Sequence, residues 1–74
     1  MQTGMLWLDD DKRRSVDEKV RRAVAYYREK YGRQPDLCLV HKAALKGERR
    51  IDAVQVQPAR TVLPHHFWLG QRGE

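Results

Sequence analysis

The chain lacks the features that usually support or anchor a very small protein. It has one cysteine, Cys38, which cannot form an internal disulfide and cannot build a zinc site alone. No apolar run approaches the roughly 20 residues of a membrane-spanning helix, and residues 1–8 carry neither a basic start nor a cleavable apolar segment. We therefore expect a soluble, cytoplasmic protein with no membrane partner.

The composition is that of a folded domain. The 74 residues are 41% hydrophobic and 34% charged, and 15 basic against 10 acidic side chains give a net charge of +5. This chain is too apolar and too mixed in sign for a disordered tail. So short a chain buries only about 60% of its unfolded surface. We predict one small domain over residues 1–74, frayed at 71–74 and supported by homo-oligomerisation, most simply as a homodimer.

Residues 16–31 predict an amphipathic helix. Ser15 and Glu18 have the spacing of a capping box, and Gly32 supplies a left-handed stop. Two acid-before-base pairs at a spacing of four are expected on its exposed face, Asp17 with Arg21 and Glu18 with Arg22, each worth about 0.2–0.5 kcal/mol.

The remaining pattern predicts strands. Apolar runs at 4–8 and 37–40 flank the helix as a βαβ unit, so these two strands are expected to be parallel neighbours. Residues 51–57 alternate like one half-exposed strand that Pro58 ends, and 66–69 forms a last strand. The expected fold is a two-layer α+β domain of the α/β type, with one helix on one face of a mixed sheet of three or four strands.

One helix leaves the second sheet face without cover. Both parallel strands are apolar at odd and even positions alike, which is typical of strands buried on two faces. If Trp7 and Trp68 point away from the helix, they enlarge an apolar interaction surface. We hypothesise that these tryptophans form the interface of a symmetric dimer. The alternative is that the segment 59–67 folds across the open face.

Acidic side chains follow the first strand. Asp9, Asp10 and Asp11 lie at its carboxyl end, and His41 ends the neighbouring parallel strand, where open α/β sheets bind ligands. Carboxylates and an imidazole could hold a divalent metal for phosphodiester hydrolysis, although no organic cofactor is expected. The alternative is structural, because aspartates before a helix complement its dipole.

Basic residues concentrate on the helix and its ends. Residues 12–33 contain nine basic and three acidic side chains, a local charge of +6. Arg14, Arg21 and Arg28 recur every seven residues and are predicted to form a stripe that follows a phosphate backbone, together with Lys12 and Arg13. An ordinary solvated helix face has the same composition.

The segment Leu8-Asp9-Asp10-Asp11-Lys12-Arg13-Arg14, followed by a helix and Tyr31-Gly32, resembles the start of the CRISPR-associated protein 2 family. The resemblance covers about a third of the chain. It implies a metal-dependent nuclease-like site at Asp9, but the second amphipathic helix of that family's βαββαβ fold is missing after Ile51.

Three functional interpretations stay open. The leading one is a small interaction module without enzymatic activity, homodimeric, whose basic helix face binds nucleic acid or an acidic protein. The second is a metal-dependent nuclease-like enzyme that uses the aspartates and His41. The third is a structural accessory subunit without a ligand.

Overall fold

One helix packs on one face of a five-stranded mixed sheet in the computed structural model, which describes residues 4–72. The elements are β1 (Met5–Leu8), α1 (Val16–Tyr31), β2 (Leu37–His41), β3 (Arg49–Ile51), β4 (Val54–Ala59) and β5 (His66–Gly70). The predicted α+β class is confirmed, with five strands instead of the three or four expected.

The helix has its predicted bounds because both of its ends are specified locally. The Ser15 hydroxyl accepts a hydrogen bond from the Glu18 amide at 3.2 Å, and the Glu18 carboxylate accepts one from the Ser15 amide at 3.2 Å. Gly32 adopts a left-handed φ of 70° and its amide donates to the Arg28 carbonyl at 2.8 Å. The capping box and the glycine stop therefore satisfy backbone groups that a bare helix end leaves unpaired.

One of the two expected ion pairs within the helix, Asp17 with Arg21, is replaced by pairs to the sheet, and the Glu18 carboxylate of the other binds Ser15 in the capping box. Arg49 on β3 donates to the Asp17 carboxylate at 2.6 Å, and Arg21 donates to the Asp52 carboxylate at 3.1 Å. Both arginine side chains thus connect α1 to the β3–β4 hairpin. The prediction of an Asp17–Arg21 pair was wrong because each partner finds an opposite charge outside the helix.

The single strand expected at 51–57 is a hairpin. Ile51 of β3 lies opposite Val54 of β4, and Asp52 begins the two-residue turn with a φ of 54°. Pro58 lies within β4, opposite Val40, instead of ending the strand. It is tolerated because β3 has already stopped and the β4 edge on that side forms no ladder there.

β5 lies between the two strands of the predicted βαβ unit. The sheet order is β1-β5-β2-β4-β3, and β5 is antiparallel to both of its neighbours. β1 and β2 therefore run parallel, as expected, but they are not adjacent. The expectation of neighbouring strands was wrong because the chain's last strand fills the gap between them.

The core lies between α1 and the sheet. On the other face, which we call the open face, the Trp68 indole lies flat against the backbone of two glycines. A Cβ atom at Gly4 or Gly70 would come within 2.3 or 2.4 Å of that ring. The buried core consists of Met5, Val20, Ala23, Tyr27, Cys38, Val40, Ile51, Val54, Val56, Phe67 and Leu69.

Part of the tail that we expected to be frayed is held in place. The Gln71 side-chain amide donates to the Gln34 carbonyl, and the Arg72 amide donates to the Asp36 carboxylate at 2.7 Å. Residues 73–74 of the predicted frayed segment lie outside the described residues. Within residues 4–72, no helix has the length and apolarity needed to cross a membrane.

The packing of Trp68 predicts a cost for filling the glycine contact. Gly70→Ala should lower the free energy of unfolding by about 1–3 kcal/mol, because the new methyl group displaces the indole. Chemical denaturation followed by tryptophan fluorescence measures this. Gly47→Ala is the matched control, since nothing lies within 4 Å of its added Cβ atom. Equal stability of the two variants would contradict the described ring position.

Candidate interaction surface

The acidic turn after β1 is neutralised by its own arginines. Arg14 donates to the Asp11 carboxylate at 2.9 Å and to the Asp9 carboxylate at 3.4 Å. The Asp9 carboxylate also accepts from the Asp11 amide at 3.1 Å, and Asp9 is only 8% exposed. Hydrogen bonds from the backbone amide and then the side chain of Arg13 lower the pKa of Asp11. This geometry is that of a structural turn with internal ion pairs.

The turn and His41 do not come together as a metal site. β5 separates their strands, so the strand axes are about 9.5 Å apart. The His41 Nδ1 atom accepts a hydrogen bond from the Ala43 amide at 3.1 Å. Among residues 4–72, no three His, Cys, Asp or Glu side chains form a group that could hold a metal ion. The expected juxtaposition of Asp9, Asp10 and Asp11 with His41 was wrong because the two strands are not neighbours.

The predicted arginine stripe is divided among different contacts. Arg14 precedes the helix, is 30% exposed and holds the acidic turn together. Arg21 is bound to Asp52, whereas Arg28 is exposed and has no carboxylate partner among the described residues. Lys12 is exposed, and Arg13 is paired with Asp11. The local +6 charge is therefore reduced by ion pairs before any partner arrives.

The thiol of Cys38 is unsuited to nucleophilic catalysis. Its side chain is buried in the core, and burial raises its pKa to about 12. The thiolate is the reactive form of cysteine, so this group stays protonated and inert at neutral pH.

The two tryptophans lie on opposite faces of the sheet. Trp7 packs against the core on the helix side, with its ring 4.4 Å from that of Tyr26. Trp68 lies opposite Leu6 and Leu39 on the open face. The hypothesis that Trp7 belongs to the interface was wrong, because strand alternation places its side chain beside Met5 under the helix.

The open face presents an apolar surface to solvent. Leu6 is 63% exposed, Leu8 58% and Leu63 66%. Together with Leu39, Thr61, Val62, His66 and Trp68, the side chains of Leu6 and Leu63 line a depression of about 280 Å³. We define the open-face patch as Leu6, Leu8, Leu39, Leu63 and Trp68.

The alternative cover for this face is present only in part. Val62, in the connection from β4 to β5, is 6% exposed and lines the depression. Its neighbour Leu63 stays exposed, so the connection covers a fraction of the face. Sequence reasoning had no signal for Leu63, since a leucine in an irregular segment shows no periodicity.

The open face also has few charges. Strand alternation assigns to it Arg50 on the edge strand β3, and the other strand positions on this face are apolar, amide or histidine residues. Most of the net charge of +5 lies elsewhere. Large exposed apolar surface with little charge is typical of an interaction site.

Comparisons of the chain with protein-family models, with curated proteins and with solved structures found no match.

The contacts of Arg14 predict a structural role. Arg14→Gln should lower the free energy of unfolding by about 1–3 kcal/mol, because the buried Asp9 carboxylate loses its cationic partner. Arg14 binds Asp9 Oδ1, which would keep only the Asp11 amide, and Asp9 Oδ2 has no hydrogen-bond partner among the described residues. Arg28→Gln is the matched control and should change stability by less than about 0.5 kcal/mol. Urea denaturation of both variants measures the difference, and equal losses would contradict this role.

The buried thiol predicts a pH dependence. Because the pKa of Cys38 is raised from 9.0 to about 12, folding favours the protonated thiol. Stability should be unaffected below pH 9 and fall by up to about 1.4 kcal/mol per pH unit between 9.0 and about 12. The Cys38→Ala variant should not show this part of the loss of stability with rising pH. Native protein should also resist a thiol reagent at pH 7, and labelling at the rate of a free cysteine would contradict the burial.

Proposed function

We propose that this chain is a small cytoplasmic interaction module without enzymatic activity, which associates with a second copy of itself through the open-face patch. The observation that carries the proposal is the exposure of Leu6, Leu8 and Leu63 around Trp68. Removing such side chains from water stabilises an assembly by roughly 25 cal/mol for each Å² of apolar area buried.

A second copy suits this surface better than a charged partner does. Apolar contacts are not directional, so a patch of leucines can pack against the same patch of a second copy without leaving a polar group unpaired. A nucleic acid would find few cations there, since Arg50 is the charged strand residue of the open face and lies at its margin. Self-association would also supply the support that a 74-residue chain without disulfides needs.

The basic helix surface supports a second candidate function, binding to nucleic acid or to an acidic protein. Arg22 and Arg28 are exposed and have no carboxylate partner among the described residues. They lie six positions apart, so they point in directions about 120° apart around the helix. This separation favours a few weak phosphate contacts over a continuous binding stripe, and the candidate therefore ranks below self-association.

A nuclease-like function has less support. The acidic turn binds Arg13 and Arg14 internally, and His41 lies two strands away from it. Among the described residues, no group of three or more His, Cys, Asp or Glu side chains could hold the metal ion that such a function needs.

Two lysine substitutions test the self-association. Leu6→Lys/Leu63→Lys should leave the monomer folded, because both side chains are largely solvent-exposed. It should abolish assembly, because each copy would carry two unpaired charges into an apolar interface. Sedimentation equilibrium at tens of micromolar protein measures the mass of parent and variant.

The control adds the same two positive charges elsewhere. Ala43→Lys/Ala44→Lys places both lysines in the exposed connection after β2 and should retain the mass of the parent. A parent chain that is monomeric at these concentrations would overturn the proposal, as would a double lysine variant with undiminished mass.

A further inference from the structure

The edge strand β1 leaves two residues with outward-facing backbone groups. β1 and β5 are antiparallel in a register that places Leu8 opposite His66, and the Asp9 amide donates to the His65 carbonyl at 3.0 Å in the same register. Hydrogen-bonded pairs alternate along an antiparallel ladder, so Trp7 is bonded to β5 in the same way as Asp9. Leu6 and Leu8 therefore direct their N–H and C=O groups away from β5, toward the free edge.

This edge lacks the usual protection against strand pairing. Natural edge strands carry a charge, a proline or a bulge that prevents another strand from joining. β1 has the sequence Met-Leu-Trp-Leu and pairs with β5 without a bulge. No described residue bonds to the outward groups of Leu6 and Leu8, whose side chains are 63% and 58% exposed.

We propose that β1 pairs antiparallel with β1 of a second copy, about a two-fold axis at Trp7. Leu6 of each chain then lies opposite Leu8 of the other, and each such pair exchanges both of its backbone hydrogen bonds. The proposal rests on the self-association proposed above and names a second contact, through the edge, in addition to the open face.

The two-fold register sets what lies opposite each end of β1. It places Asp10, which is exposed, opposite Gly4 of the second copy. Within each chain, the Gly4 carbonyl already accepts a hydrogen bond from the Tyr31 hydroxyl at 3.3 Å. The proposed backbone pairing is therefore confined to Leu6 and Leu8.

Edge pairing leaves the open face available as an interface, which a further copy and not the edge-paired one would cover. Antiparallel strands related by a two-fold axis normal to the sheet keep equivalent faces on the same side. Both helices then lie on one side of the joined sheets and both open-face patches on the other. The four leucine side chains of the paired β1 strands become neighbours at the centre of a continuous apolar surface.

A proline at position 8 tests the edge directly. Leu8→Pro removes an outward N–H and keeps the β5 ladder, because Leu8 makes no ladder bond with its own amide. We expect the dissociation constant of the assembly to rise roughly tenfold. Leu8→Ala is the matched control, since it loses more apolar area on the open face but keeps the N–H. Circular dichroism verifies that both variants fold.

The outcomes separate the edge from the face. A Leu8→Pro variant that assembles as well as Leu8→Ala overturns edge pairing, whatever the open-face variants do. If Leu8→Pro weakens assembly while Leu6→Lys/Leu63→Lys keeps the parent mass, the edge is supported and the open-face interface is overturned. A monomeric parent overturns both.

Discussion

A single helix can cover only one face of a sheet, and the exposed apolar surface of this domain follows from that constraint. The buried side of α1, with Val20, Ala23 and Tyr27, is used entirely against the inner face of the five strands. Within residues 4–72, the opposite face is partly covered by the connection between β4 and β5, whose Val62 is buried. Leucines that alternate with core residues along β1 and β2 consequently contact solvent, and the proposed association with a second copy follows from that surplus of apolar surface.

The charged residues mainly stabilise the arrangement of the elements. Arg14 neutralises the turn into α1, and Arg21 and Arg49 join the helix to the hairpin through Asp52 and Asp17. Surface ion pairs are individually worth little, with a median of about 0–1 kcal/mol. The Arg14 pair differs because its Asp9 partner is buried, so the cost of an uncompensated carboxylate adds to the loss of the pair.

Local sequence signals predicted the parts of the fold that depend on neighbours in the chain. The helix was predictable to the residue because Ser15, Glu18 and Gly32 specify its ends within one turn. The hairpin was missed because its turn begins with Asp52 in a left-handed conformation where glycine or asparagine is the usual signal. The position of β5 was not predictable because strand order depends on contacts between residues about 30 positions apart, such as Cys38 and Leu69.

The same distinction holds for the candidate surface. An uncovered sheet face could be inferred from one helix and two apolar strands. The identity of the tryptophan on that face could not be inferred, because a strand that is apolar at every position does not show which of its side chains point to which face of the sheet. The aspartates and His41 looked like one site only on the assumption that β1 and β2 are neighbours, and the insertion of β5 removes that assumption.

Cover of the open face by a second copy can be measured in solution. Solvent paramagnetic relaxation of the Leu39 and Leu63 methyl groups, recorded by NMR at increasing protein concentration, reports whether that face becomes buried. Ala25, exposed on the outer side of the helix, serves as the internal reference. We expect the leucine methyl groups to become protected as concentration rises while the Ala25 methyl group stays accessible. Constant accessibility of all three up to millimolar protein would contradict it.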